Sequence, residues 1–97
     1  MRRTVFAPSF DQEVEDIAVY VEQAFGEARR RQFLAELGRV CASLASFPGL
    51  GLGHHGYATT SMGFVCGQNW IFFEYDDEGI RFLHMVDGRR DKKTVAF

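Results

Sequence analysis

Apolar positions in the first half of the chain repeat with helical spacing. Val14, Ile17, Ala18, Val21 and Phe25 fall on one face of a helix, a single stripe able to bury against a partner layer. Ser9, Phe10, Asp11 and Gln12 stand ahead of it. They predict a capping box in which Ser9 accepts from the Gln12 backbone and the Gln12 side chain reaches back. Gly26 suits the residue just past the helix end. A second stripe, Phe33, Leu34, Leu37, Val40, Cys41, Leu44 and Phe47, predicts a helix over about residues 27–47, and Pro48 prevents its continuation. So short a link around Gly26 dictates a helical hairpin.

The second half changes period. Asn69–Tyr75 and residues 80–86 are aromatic and β-branched, which suits strands. Asp76, Asp77, Glu78 and Gly79 lie between them, with Gly79 expected to supply the positive φ of the reversal. Residues 4–7 form a short strand candidate stopped by Pro8. Residues 57–66 are a weaker strand region broken by Gly63, and Gly67 and Gln68 turn the chain into Asn69. In Asn69–Tyr75 both parities are apolar, Trp70 and Phe72 on one side, Ile71, Phe73 and Tyr75 on the other. A strand covered on both faces belongs in the centre of a sheet. The hairpin covers one face; residues 94–97 or another protein would cover the other. The order β-α-α-β-β-β predicts one α+β domain over residues 1–97, its helical hairpin packed on a small, mainly antiparallel sheet.

Composition sharpens this picture. Hydrophobic residues make up 46% of the 97, including ten Phe, which excludes a disordered chain and leaves apolar surface for an interface. The net charge of −2 provides no global positive field for nucleic acid, so direct nucleic-acid binding stays open. Charge is uneven. Residues 11–22 hold five acids and no Lys or Arg, whereas Arg81, Arg89, Arg90, Lys92 and Lys93 face only Asp87 and Asp91 near the end. Arg29, Arg30 and Arg31 occupy early turns of the second helix, where the helix dipole disfavours cations.

Other chemistry is sparse. Cys41 and Cys66 match no metal or redox spacing and read as buried free thiols. Residues 49–56 are Gly-rich without the Gly-Lys-Ser/Thr ending of a phosphate loop. His54 and His55 are adjacent, so in a strand they point to opposite faces and do not share one ion. No metal and no cofactor is expected. No apolar run follows Met1, Arg2 and Arg3, so neither a leader nor a membrane span is expected, and a soluble cytoplasmic protein with no membrane partner is expected.

Three segments together resemble the RelE/ParE superfamily of small bacterial toxins, and its ParE branch in particular. One is the helical pair from Tyr20 to Gly26 and on to Leu44, Ala45, Ser46, Phe47, Pro48, Gly49, Leu50 and Gly51, where the family commonly shows Leu-Ala-x-x-Pro-x-x-Gly. Another is the strand ending Phe73, Glu74, Tyr75 before its turn. The last is the run from Ile80 to Asp91, similar to the family's final strand and its His-Gly-Arg-Arg-Asp signature, with Asp87 where His is usual. Two departures are visible: residues 57–64 carry no Arg where many relatives do, and this chain is not basic.

The resemblance implies a toxin of a type II toxin–antitoxin system, with a cognate antitoxin as partner and DNA gyrase as suspected target. It implies target contact through Arg81, Arg89, Arg90 and Lys92, and antitoxin contact through Val21, Phe25, Phe33, Trp70 and Phe72. No catalytic residue is assigned. An mRNA endonuclease needs a proton donor beside its cations. No Tyr follows Arg90, and His84 sits between the apolar Phe82 and Val86, as a sheet residue would. Ribosome-dependent mRNA cleavage and a non-toxic antitoxin-binding module remain the alternatives.

Overall fold

A computed structural model describes residues 3–53 and 62–87. Strand β1 (Arg3–Phe6) leads into helices α1 (Pro8–Phe25) and α2 (Glu27–Ser46). A 3-10 turn (Pro48–Leu50) and the two-residue strand β2 (Leu52–Gly53) precede β3 (Met62–Cys66), β4 (Asn69–Tyr75) and β5 (Gly79–Asp87). The sheet order is β1-β5-β4-β3-β2. β1 runs parallel to β5 and the other pairs are antiparallel. This is the α+β arrangement expected from sequence, with β4 central and one extra short strand in the Gly-rich connector. β3 runs unbroken through Gly63, which pairs with Phe72. Residues 54–61, with most of the predicted weak strand and both His54 and His55, lie outside the described residues.

The hairpin turns on one residue. Gly26 has φ 95° and ψ 171°, a conformation open essentially to glycine. Its N–H donates to the Glu22 carbonyl at 2.9 Å and its own carbonyl accepts from Arg30 N–H at 3.2 Å, so one residue closes α1 and opens α2.

The predicted capping box does not form. Pro8, with no N–H to satisfy, takes the first turn of α1, Ala7 stands extended at the cap position, and no side chain caps the helix. The Ser9 hydroxyl instead donates to the Leu83 carbonyl at 2.7 Å. The reason lies in β5. The β4–β5 register passes from Phe72↔His84 to Phe73↔Phe82, so Leu83 is an extra residue, a β-bulge. The last backbone bond from the β1 side is Ala7 N–H to Phe82 carbonyl at 2.9 Å. Beyond it, α1 side chains take over. Ser9 meets the Leu83 carbonyl, and Glu13 Oε1 accepts from Met85 N–H at 3.2 Å and lies 3.0 Å from His84 Nδ1.

The β4–β5 reversal also departs from expectation. Gly79 does not have positive φ; Asp76 makes the turn, its Oδ1 accepting from both Glu78 and Gly79 N–H at 2.9 Å. Gly79 is small for a different reason, because a Cβ there would stand 3.1 Å from the Arg3 carbonyl of the parallel neighbour β1. The positive φ belongs to Gly67 (63°), first residue of the two-residue β3–β4 loop.

The core joins Phe10, Leu37, Cys41 and Leu44 of the helices to Ile71, Phe73, Ile80, Phe82 and Met85 of the sheet. Phe6, Phe10, Phe82 and Phe73 form a chain of rings with centroids 5.3–6.0 Å apart, a spacing that favours aromatic pairs. Phe25 and Phe47, counted in the apolar stripes, are instead mostly exposed. Trp70 and Phe72 alternate with core residue Ile71 and so occupy the opposite face, stacked at 6.3 Å.

Candidate functional site

A cleft of about 620 Å³ opens between the helical hairpin on one side and the β3–β4 loop with the end of β5 on the other. Helical periodicity places Glu13, Ile17, Tyr20 and Val21 of α1 along one wall, facing Phe33 and Glu36 of α2. Ile17, Val21, Phe33, Cys66 and Met85 supply the apolar surface, and Gly67, Gln68 and Asn69 close the sheet side. At the hairpin end, Tyr20 and Phe25 meet edge to face with centroids 6.4 Å apart, yet they are 45% and 66% exposed. Two aromatic rings left so open beside an apolar recess form an exposed apolar patch.

The charged lining is mostly acidic: Glu13, Asp16, Glu36 and Asp87 against Arg29 among the described residues. Asp16 accepts from Gln12 Nε2 at 3.0 Å, and Glu13 is engaged by His84 and the Met85 N–H. The Cys66 thiol in the cleft is pushed up in pKa, first by burial and then by the nearby Glu36 carboxylate. Burial, reinforced by the neighbouring Cys66, raises Cys41 from 9.0 to about 12. Both free cysteines therefore stay protonated at neutral pH and are poor nucleophiles. Among the described residues, no three His, Cys, Asp or Glu side chains gather to hold a metal ion.

A smaller recess of about 440 Å³ lies between β1, α1 and α2, lined by Phe6, Phe10, Val14, Leu34 and Cys41 among others. β1 is one of the sheet's two edge strands among the described residues, with Val5 and Phe6 exposed.

Of the residues expected to meet an antitoxin, Val21, Phe25 and Phe33 converge in the cleft. Phe33 is 8% exposed and forms surface only at the bottom. Trp70 and Phe72 are on the far face, Trp70 half-buried and Phe72 only 2% exposed. Arg81 is an exposed β5 side chain 3.7 Å from its cross-strand neighbour Glu74, a surface pair worth about 0–1 kcal/mol. Arg89, Arg90 and Lys92 lie outside the described residues. Arg31 pairs with Glu27 at 3.8 Å and Arg29 with Gln32 at 3.4 Å.

Sequence reasoning missed Glu13, Asp16, Tyr20 and Glu36. A signal existed for three of them: positions 13, 16 and 20 are three and four apart, one helical strip bordering the apolar stripe.

Helical hairpin, five-stranded sheet and cleft together place the chain in a known structural class. A solved chain described as the "Chromosomal ParDE TA system from P. aeruginosa" superposes with a TM-score of 0.77 over 90% of this chain and 96% of that one, at 10% sequence identity. At that identity the likeness is one of fold. The model of the ParE toxin of the type II toxin–antitoxin system parDE matches residues 4–92, and the chain belongs to that family. No curated protein sequence matches it. Among the described residues, no helix is long and apolar enough to cross a membrane.

Proposed function

We propose that the chain is the toxin of a toxin–antitoxin pair, acting in the cytoplasm on DNA gyrase when free and restrained there by a cognate antitoxin. Family membership over residues 4–92 carries the toxin assignment. A chemical observation favours gyrase over mRNA cleavage. His84 is the one histidine among the described residues, and its Nδ1 is held 3.0 Å from Glu13 in the contact joining α1 to β5. Its side chain is only 24% exposed in that junction, which leaves a leaving oxygen little access to the ring, whereas trapping a topoisomerase requires only a surface. Target contact is assigned to Arg89, Arg90 and Lys92, and to Arg81 on β5. Antitoxin contact is assigned to Val21 and Phe25 above Phe33, with Trp70 offering a second patch on the far face.

Induced expression in bacteria, alone and with the adjacent gene, tests the assignment. Filamentation with a DNA-damage response, together with trapped cleavage complexes on purified gyrase, is the expected result. Rapid arrest of protein synthesis would instead indicate mRNA cleavage, and unimpaired growth a non-toxic binding module. The double variant Arg89→Ala/Arg90→Ala is expected to lose toxicity and still co-purify with its partner; surviving toxicity would refute those contacts.

A further inference from the structure

We infer that the hairpin cleft docks a cationic segment anchored by apolar side chains and supplied by a partner protein. This rests on the reading that the chain works with a protein partner, and it adds the chemistry of what that partner inserts.

Two features combine. The first is apolar: Tyr20 and Phe25 stand exposed at the hairpin end of a recess of about 620 Å³ whose interior is built from Ile17, Val21 and Phe33. That is room for a few side chains of a bound segment, and it sets anchors of Leu, Met or Phe type. The second is electrostatic. Four carboxylates and one guanidinium are found among the described lining residues, and α1 contains no Lys or Arg between residues 11 and 22 to offset them. Low-dielectric walls around charges of one sign concentrate their field in the cleft. A segment carrying Lys or Arg around its apolar anchors meets opposite charge from both helices, through Asp16 of α1 and Glu36 of α2. An acidic segment meets like charge there and is rejected.

The test uses the full chain and two fluorescent synthetic peptides sharing one Leu/Phe amphipathic pattern, one with Lys and the other with Glu at every polar position. Anisotropy titrations are expected to show the Lys peptide binding at least about tenfold more tightly, a preference of about 1.4 kcal/mol. Amide shifts should centre on Phe25, Gly67 and Gln68. Asp16→Lys/Glu36→Lys is expected to abolish or invert the preference, and Asp16→Lys alone, at an exposed position, to reduce it. The control Asp77→Lys/Glu78→Lys alters net charge equally in the β4–β5 turn, at the other end of β4, and is expected to leave the preference intact.

Equal or tighter binding of the Glu peptide overturns the inference. So does an equal effect of the control variant, since the charge of the whole chain would then suffice. A footprint on the β1 recess, or a dimer of this chain that closes the cleft and yields to neither peptide, overturns it as well. Should a co-expressed antitoxin seat an acidic segment in the cleft, the inference fails while the toxin assignment stands.

Discussion

Gly26 joins two long helices without a loop because its φ of 95° and ψ of 171° turn the chain within one residue. Space is not the constraint, since a Cβ there would touch nothing within 4 Å. The constraint is the backbone itself. Gly26→Ala is therefore expected to destabilise the fold by about 1–3 kcal/mol, measured by urea unfolding, with little change in core packing. Gly51 is the opposite case. Its φ of −74° suits any residue, but an added Cβ would lie 2.6 Å from Cζ of Phe73, a ring fully buried in the core. Gly51→Ala is expected to cost about 1–3 kcal/mol through overpacking, and Gly51→Ala/Phe73→Leu to recover part of that loss. Additive losses in the double variant would show that the two positions do not press on one another.

Between elements, the contact that matters most is α1 on β5. β1 ends at Phe6, so the open edge of β5 beyond Phe82 would expose unpaired backbone groups. Ser9 and Glu13 close it from the helix. Removing the Glu13 carboxylate strands the Met85 N–H and takes one partner from the His84 ring. Glu13→Ala is expected to destabilise by about 1–3 kcal/mol, and amide exchange at Met85 should accelerate more than at Ile71 across the strand pair. Uniform acceleration would mean that the carboxylate acts only through global stability. This latch explains why the sequence shows some features and hides others. Helices and β4 were legible because their apolar spacing depends on neighbours within a few residues. Ser9 and Leu83 are 74 positions apart, and nothing local marks them as partners, so the familiar Ser-x-x-Gln pattern points to a cap that Pro8 forestalls. Gly79 was legible as necessary but for the wrong reason, because its crowding comes from β1 at the other end of the chain. The cleft was half legible. Val21, Phe25 and Phe33 lie on stripes, while Glu36 reads as an ordinary solvated charge until the sheet stands opposite it.

At the scale of the molecule, the helices and the sheet are joined by a core in which both cysteines are buried free thiols, and this makes stability depend on alkaline pH. Cys41 sits at 9.0 when unperturbed and at about 12 in the folded chain, through burial first and then the neighbouring Cys66; Cys66 is shifted in the same direction. Folding therefore retains protons that the unfolded chain releases. Below about pH 9 both states hold them and stability is unaffected by these groups. Between about 9 and 12 the unfolded state binds fewer protons, so stability falls as pH rises. Urea unfolding at about pH 8 and about pH 10 is expected to show that decline, and Cys41→Ala is expected to flatten it even though the smaller side chain lowers stability at both pH values. Comparing the two slopes removes contributions shared by both proteins, such as Tyr and Lys ionisation. An unchanged slope in Cys41→Ala would mean that the thiolate is accommodated in the fold, placing the alkaline sensitivity elsewhere.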